Sequence, residues 1–299
     1  MKKNLIFLSL LLVAFTLQSQ WRWDVGGTAS ATNYLGDIGG KDKAHHDFIS
    51  DIRLASTRWN TGAFVRYKWR PKISFRASVD YIRIQGDDKY SINPARRYRN
   101  FNFKNDMIDF GVTAHYYFYE NNDLGNTYRY RNGMRAYIFA GFGGVYTNPK
   151  TLYKGEWVAL QPLATEGIPY GKFAATIPLG AGVYFTLNKK HRIGFEINYR
   201  KTFTDYLDDI SGQYPSDPGN DYMRGLILRT TEMSANADPD VYKSHTWGAK
   251  RGSDKYKDTY LTVGFSYSYV IRGKSSFYRA RSSGFFSKKR KMRKIRAKF

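Results

Sequence analysis

Aspartate and histidine residues in two polar segments are the residues of this 299-residue chain best suited to bind a metal ion. Asp205, Asp208 and Asp209 lie close together after a predicted strand, and carboxylate oxygens are ligands of hard divalent cations. Their spacing is not that of an EF-hand, and Asp is common where a loop turns, so a structural loop root is the preferred interpretation. The segment 45–47, His-His-Asp, offers a second ligand set, for which we favour a solvated loop.

Covalent catalysis has weaker support in the sequence. The chain contains no cysteine, which excludes a thiol nucleophile, a thiolate metal site and a disulfide. Hydrolysis of an ester would need a nucleophile, a base and an orienting group held together, and serine and histidine occur only scattered, without a motif. We therefore predict a protein that is not an enzyme and uses no cofactor, and a membrane lipid hydrolase is the least favoured alternative.

A strongly basic segment follows the last predicted strand. Between Arg272 and Phe299 there are 12 Lys or Arg and no acidic residue, within a chain whose formal net charge is +23. In a cytosolic protein such a run would indicate nucleic-acid binding, which the export signal described below excludes. We predict either a solvated end or an electrostatic docking arm for a periplasmic partner. The candidate docking residues are Lys288, Lys289, Arg290, Lys291, Arg293, Lys294 and Arg296.

The first residues predict export from the cytoplasm. Lys2 and Lys3 precede an apolar run from residue 5 to 17, and a small residue, Ser19, follows it. This is the pattern of a secretory signal peptide, with cleavage after Ser19, and the run is too short to span a membrane. Because no other long apolar run follows, entry into a membrane would have to use strands instead of helices.

The segment 60–81 has the clearest strand pattern in the chain. Apolar side chains occupy the odd positions of two runs, 63–69 and 73–81, while the even positions are mostly polar or charged. A tight turn at 70–72 joins the runs without loss of phase, which predicts a β-hairpin with one apolar and one charged face. In an outer-membrane barrel the apolar face would contact lipid and the charged face would line the lumen.

The same alternation predicts eight strands in all. They cover residues 21–34, 60–70, 73–81, 106–119, 134–146, 172–187, 192–203 and 258–271. Their connections run long, short, long, medium, long, short, long, which is typical of outer-membrane barrels with long extracellular loops and short periplasmic turns. We predict an all-β fold, an eight-stranded antiparallel up-and-down transmembrane β-barrel (OmpA-like) whose basic C-terminal tail lies in the periplasm. A soluble lipocalin-like barrel is the alternative, but its apolar face would point inward.

Charged residues of the inner face form the candidate lumen site. An eight-strand barrel is just wide enough to be filled by its own side chains, so we predict an ion-pair network that closes the lumen in preference to a selective pore. The inward residues of this network are Arg66, Lys68, Arg70, Arg76, Asp80, Asp109, His115, Arg135, Glu196 and Arg200.

Two loop-root segments carry a resemblance to a known family. They are 33–40, Asn-Tyr-Leu-Gly-Asp-Ile-Gly-Gly, and 202–211, Thr-Phe-Thr-Asp-Tyr-Leu-Asp-Asp-Ile-Ser. Both resemble segments of PorG, the outer-membrane barrel component of the type IX secretion system of Bacteroidota. The order of features resembles that family along nearly the whole mature chain, although the long basic end and the large last loop are less typical of it.

The resemblance implies a non-enzymatic part of a protein-secretion machine that also serves gliding motility in some bacteria. Its implied partners are the periplasmic ring proteins, a PorK/GldK-like lipoprotein and a PorN/GldN-like protein, which the barrel would tie to the outer membrane. The alternative function is a small porin-like or ligand-binding outer-membrane barrel. The predicted organisation is a signal peptide at 1–19, an outer-membrane barrel at 20–271 and a basic periplasmic tail at 272–299.

Overall fold

The computed structural model describes residues 23–38, 54–91, 94–121, 133–188, 190–216, 221–227, 247–254 and 257–271. Three sequence predictions lie outside these ranges: the signal peptide, the histidine-containing segment 45–47 and the basic tail from residue 272 onward. The strands, and most of the residues that connect them at the loop end, are described.

Ten antiparallel strands occur among the described residues. They are β1 (Trp23–Leu35), β2 (Arg58–Arg70), β3 (Ile73–Asp87), β4 (Asn102–Asn121), β5 (Gly133–Tyr146), β6 (Pro149–Tyr153), β7 (Glu156–Ala159), β8 (Phe173–Leu187), β9 (His191–Thr202) and β10 (Thr259–Ile271). Eight of them form one sheet in the order β3-β2-β1-β10-β9-β8-β5-β4, and pairing of β3 with β4 closes it into a barrel. The predicted eight-stranded antiparallel barrel is therefore confirmed.

The remaining strands and the helices belong to the connections. The hairpin β6–β7 is added to the barrel wall through pairing of β6 with β4. The short helices are α1 (Pro94–Arg99) and α2 (Asp221–Ile227), and single 3-10 turns cover Leu54–Ser56, Asp88–Tyr90 and Gln161–Leu163. None of the described helices has the length and apolar character that crossing a membrane requires.

The turn-end part of the barrel wall is apolar outside and mostly polar inside. Val112, Phe142 and Phe265 point outward with exposed fractions of 55%, 78% and 66%, while Arg66 and Asp109 point inward and are buried. This distribution is the inverse of a soluble barrel, and lipid is the solvent that such an outer wall requires. The predicted outward register of these strands agrees with the arrangement in space.

Towards the loop end the polarity of the wall reverses. In β3 the inward residues Ile82 and Ile84 are buried and apolar, whereas Arg83 faces outward and pairs with Asp106 of β4. The predicted connection between strands 73–81 and 106–119 is consequently too long, because β3 continues to residue 87 and β4 begins at residue 102. The alternation itself persists there, but its apolar parity changes from the outer to the inner face where the wall leaves the lipid.

The long connection predicted between strands 134–146 and 172–187 also contains regular structure. Residues 149–153 and 156–159 form the hairpin β6–β7, which the turn residues Lys154 and Gly155 close, both with positive φ. Gly155 has φ +87° and tolerates this left-handed conformation because it lacks a Cβ. The hairpin lengthens the barrel wall beside β4 at the loop end.

Candidate functional site

Ion pairs between opposite walls fill the centre of the barrel. Arg76 Nη1 donates hydrogen bonds to both carboxylate oxygens of Glu196, at 2.8 and 2.7 Å, and the Tyr137 hydroxyl donates to the same carboxylate. One layer closer to the loops, Arg200 Nη1 lies 2.7 Å from Asp109, which also accepts a hydrogen bond from Tyr260. Each buried carboxylate thus faces a guanidinium and a phenol, the donors that compensate for its loss of water.

Asp80 links this layer to the first strand. Its carboxylate accepts a hydrogen bond from Thr28 at 2.9 Å and lies 3.8 Å from Arg200. Gly62 on the neighbouring strand makes room for it, because a Cβ at Gly62 would lie 2.0 Å from Asp80 Oδ1. Glycine is therefore needed at this inward position because any side chain would displace Asp80 from the ion-pair layer.

The turn end of the lumen contains a second cluster of charges. Asp24 lies 2.9 Å from Arg192 and 3.7 Å from Arg66, whose guanidinium carbon is 5.2 Å from the ring centroid of Tyr184. Arg135 pairs with Glu120 at the adjoining rim. Tyr117, Tyr137, Phe139 and Tyr184 form a buried aromatic cluster beside these cations.

The structure brings most of the predicted lumen residues together and separates two. Arg66, Arg76, Asp80, Asp109, Arg135, Glu196 and Arg200 all take part in the ion pairs described above. Lys68 is half-buried near the turn end, without an ion pair to any described residue. Arg70 is exposed and stacks on Trp69, with 4.4 Å between its guanidinium carbon and the ring centroid, so its predicted inward position is wrong. The reason is that the register shifts between Lys68 and Arg70, where β2 turns into β3.

His115 belongs to the packing of the lumen. Its Nε2 lies 2.9 Å from the Thr113 hydroxyl, and its ring stacks on Phe139 at 5.1 Å between centroids. Beside it, a polar cavity of about 30 Å³ lies between Arg76, Asp80 and neighbouring side chains. Such a space accommodates about two water molecules. The lumen, as far as the described residues show, is packed and charged instead of open.

Sequence reasoning missed several members of the network. The sequence prediction does not include Asp24, Arg192 or the phenols of Tyr137 and Tyr260. Asp24 has the same strand parity as the inward residue Thr28, so parity alone would have placed it in the lumen. The phenols carried no such signal, because inward tyrosines resemble any other aromatic residue of a strand. Their role depends on which carboxylate the closed barrel places opposite them.

A folded assembly of connections fills the loop end of the barrel. We call it the loop plug and define it as residues 160–170, 203–216, 221–227 and 247–254. Its apolar residues pack with inward residues of the strands into one buried core. The core comprises Tyr34, Ile38, Ile82, Ile84, Phe101, Phe103, Met107, Val145, Leu160, Leu207, Ile210, Tyr214, Leu226, Ile227 and Tyr260.

The two segments that carry the family resemblance meet at this plug. The Tyr34 hydroxyl donates to Asp258 Oδ1 at 2.6 Å, and Asp258 Oδ2 accepts the backbone N–H of Leu207 at 2.9 Å. Asp37 Oδ2 accepts the backbone N–H of Ser253 at 2.8 Å. Both segments therefore anchor the last and longest connection against the barrel wall.

Arg251 is the central cation of the loop plug. Its Nη1 donates to Glu166 at 3.1 Å and to the Asp209 carbonyl at 2.8 Å, and its Nη2 lies 3.4 Å from the Asp209 carboxylate. Glu166 in turn accepts the backbone N–H groups of Ser211 and Gly212 at 2.9 and 3.0 Å. One buried guanidinium thus joins three stretches of loop.

A second arginine fastens the plug to the connection between β3 and β4. Arg99 Nε donates to Asp88 at 2.8 Å, and its Nη2 donates to the same carboxylate at 3.1 Å. The same guanidinium donates to the carbonyls of Arg251 at 2.8 Å and Asp37 at 3.0 Å. Arg99 therefore joins Asp88, through a bidentate pair, to the backbone of the plug at Arg251.

The three aspartates considered as cation ligands serve as loop roots. Asp205 accepts from the Ser211 hydroxyl at 2.7 Å, and Asp208 accepts the backbone N–H of Ile210 at 2.9 Å. Asp209 accepts from Tyr170 at 2.6 Å and from Thr165. Among the residues that the structure describes, no three acidic or histidine side chains are placed to hold a metal ion.

Burial raises the pKa of all these carboxyl groups. The pKa of Asp205 is raised to about 6, chiefly by burial. Burial also raises the pKa of Asp209, against the opposing effect of Arg251. The pKa values of Asp208 and Asp258 are raised first by burial and, for Asp208, further by the Asp258 carboxylate nearby. The acidic side of the plug is therefore more easily protonated than ordinary aspartates.

A closed barrel with an apolar outer wall and a charged interior is the architecture of an integral outer-membrane β-barrel, and this protein is of that class. Within it, the chain belongs to the family described as Domain of unknown function (DUF6089), whose model matches residues 2–236. No curated protein sequence matches the chain.

Several solved outer-membrane barrels align with most of the chain. The N-terminal β-barrel domain of Pseudomonas aeruginosa OprF matches with a TM-score of 0.32 and 9% identity, over 84% of this chain and 99% of that one. Neisserial surface protein A (NspA) matches with a TM-score of 0.36 and 9% identity, over 85% and 99%. The outer membrane protein OprG from Pseudomonas aeruginosa matches with a TM-score of 0.35 and 8% identity, over 85% and 95%. Such low identities carry no statement about shared function.

Proposed function

We propose that this protein is a non-enzymatic structural component of the type IX secretion system. In this role the barrel would sit in the outer membrane and hold a periplasmic ring of a PorK/GldK-like lipoprotein and a PorN/GldN-like protein against it. The long loops would face the exterior, and the basic tail would enter the periplasm. The resemblance of segments 33–40 and 202–211 to PorG indicates which secretion system is concerned.

The observation that carries the proposal is the filled interior. Arg76 with Glu196, and Arg200 with Asp109, cross the lumen in two layers, and the loop plug packs above them. A barrel that is closed in this way offers its surfaces and its chain ends for function, and a structural anchor uses those. The porin-like alternative would require both layers and the plug to move aside.

Secretion and partner recovery test the proposal together. A strain that lacks the protein should lose secreted cargo while its outer membrane stays intact, and the full chain should restore secretion. An affinity-tagged full chain should recover the two ring proteins from solubilised membranes. Normal secretion in the deletion strain would overturn the proposal.

A bilayer experiment separates the anchor from the porin-like alternative. The purified protein in a planar bilayer should show no steady ion conductance at neutral pH, because two layers of ion pairs close the barrel. A stable conductance, unaffected by a variant such as Arg76→Gln that disturbs the lumen, would favour a pore formed elsewhere. A conductance that this variant alters would favour the porin-like function.

The tail has a role of its own in this proposal. Twelve positive charges without an acidic residue, between 272 and 299, would extend by self-repulsion and reach an acidic surface of the ring. Deletion of 275–299 should leave membrane insertion intact and lower recovery of the ring proteins. A chain in which the lysines of 288–294 become arginines keeps the charge and is the matched control. Unchanged recovery after deletion would refute the docking role alone.

A further inference from the structure

The hairpin β6–β7 presents an apolar pair on the outer side of the barrel wall. Leu152 and Trp157 stand directly opposite each other in the hairpin, with exposed fractions of 40% and 41%. The alternate residues Tyr153 and Val158 turn inward and pack against the core of the loop plug. One face of the hairpin thus packs on the apolar core, while the other face exposes two large apolar side chains.

Two lysines border this apolar pair. Lys104 of β4 lies opposite Lys150 of β6 in the strand register, and Lys104 Nζ is 4.0 Å from the ring centroid of Trp157. The neighbouring carboxylate, Asp106, is held by Arg83 at 2.5 Å. Asp106 also attracts Lys104, but neither lysine forms an ion pair with a described residue, so both ammonium groups can bind an anion from outside. We call Lys104, Lys150, Leu152 and Trp157 the outer hairpin face.

The position of this face relative to the lipid-facing belt indicates what it meets. On β4 the belt ends at Ile108, which is 47% exposed, and Lys104 lies four residues further towards the loops. At about 3.3 Å per residue and a tilt of about 40°, Lys104 lies about 10 Å above Ile108. The headgroup layer of a simple bilayer adds only about 5–8 Å on each side. The outer hairpin face is therefore level with a headgroup larger than that of a common phospholipid.

The chemistry of the face selects the headgroup. An ammonium group is a compact partner for phosphate, and tryptophan is enriched where apolar and polar layers meet. Leu152 and Trp157 supply a local apolar contact above the belt, and the two lysines supply the charge for an anion attached to a lipid.

We infer that the outer hairpin face binds the phosphorylated headgroup of a glycolipid in the outer leaflet. The inference rests on the proposed placement of the loop end outside the cell, but not on the secretion partners.

Binding by the purified full-length protein tests the inference. The probes are a diphosphorylated diglucosamine lipid and its dephosphorylated form, both titrated in the same detergent and followed by native mass spectrometry. The double variant Lys104→Gln/Lys150→Gln should bind the phosphorylated probe about 25-fold more weakly, since each lysine near a charged lipid surface contributes about a factor of five. The dephosphorylated probe should bind weakly to wild type and variant alike.

The matched control removes the same charge from the same end of the molecule. Arg224→Gln/Lys250→Gln changes two exposed cations of the loop plug that do not belong to the outer hairpin face, and should bind within about twofold of wild type. Trp157→Ala should weaken binding of both probes, because it removes the apolar contact. Each variant is first shown to be folded by its faster migration on gels without heating.

Three results would overturn the inference. Equal binding of the phosphorylated probe by wild type and by the double lysine variant would show that the two lysines do not bind the lipid phosphate, and would favour a protein partner for this face. Equal binding of the two probes by wild type would show that the phosphate groups contribute nothing and that only the apolar contact holds the lipid. Displacement of the lipid by inorganic phosphate at equal concentration would indicate a site for a free anion. Because no ring protein is present in these measurements, their failure is separate from failure of the proposed secretion role.

Discussion

Replacing Glu196 with Gln tests whether the lumen ion pairs determine the stability of the barrel. Glu196 accepts two hydrogen bonds from Arg76, at 2.8 and 2.7 Å, and the side chains of this pair are 8% and 11% exposed. Removal of the carboxylate charge leaves the Arg76 guanidinium buried without a counter-ion. Breaking a buried pair in this way costs about 3–5 kcal/mol of unfolding free energy.

The outer wall provides the matched control. Arg83 and Asp106 form a pair of similar geometry, at 2.5 Å, but their side chains are 30% and 29% exposed. Asp106→Asn should therefore cost no more than about 1 kcal/mol, as solvent screens the remaining charge. The two variants differ mainly in the burial of the arginine that each leaves behind.

Urea unfolding in lipid vesicles, followed by gel mobility without heating and by tryptophan fluorescence, measures both costs. The double variant Arg76→Gln/Glu196→Gln should be less destabilised than the sum of its single variants, because it leaves no unpaired charge. Equal costs for Glu196→Gln and Asp106→Asn, or additive single variants, would refute the reasoning that burial sets the value of the pair.

Three further outcomes are expected from other parts of the barrel. Phe265→Arg, at a residue 66% exposed on the outer wall, should cost about 2–4 kcal/mol if it faces the middle of the bilayer, measured by the same urea unfolding. The loop plug should resist protease better at pH 5 than at pH 7.5: the pKa of Asp205 is raised to about 6, so the folded plug binds more protons than the unfolded chain and loses stability as pH rises towards 6. Greater protection at pH 7.5 would contradict this sign. Arg251→Gln should open the plug to protease while the barrel still migrates as folded, since Arg251 joins plug segments and no barrel strand; unchanged protection would show that the apolar core alone holds the plug.

Strand alternation was sufficient to predict the barrel because one side of each strand faces lipid and the other faces charge. Where the wall leaves the lipid, the same alternation continues with its polarity reversed, as at Ile82, Arg83 and Ile84. A search for apolar residues at one constant parity therefore ends the strands too early, which is why the sequence predicts strands that stop at residue 81 and resume at residue 106, whereas β3 reaches residue 87 and β4 begins at residue 102. Periodicity locates a strand, but the surrounding solvent decides which parity is apolar.

For the candidate sites too, strand parity predicts which face a residue occupies but not which partner it contacts. Parity places Arg76 and Glu196 on the inner face, but their pairing across 120 positions of sequence depends on how the closed sheet orients them. The contacts of the loop plug are even harder to predict from strand parity. Nothing in the sequence around Arg251 indicates that its guanidinium will join Glu166 to Asp209, because those contacts arise only when two connections, β7–β8 and β9–β10, fold against each other.

The two halves of the interior use different means to exclude water. In the part surrounded by lipid the lumen is closed by paired charges, because the apolar side chains are needed on the outer wall. Beyond the lipid the outer wall becomes polar, so apolar residues such as Phe103 and Met107 can turn inward and form a core with Leu207. The segments 33–38 and 202–211 lie at this change of polarity, where Tyr34 packs in the core and donates to Asp258. Their residues therefore fix the loop plug at the point where the barrel changes from a membrane wall to a water-soluble one.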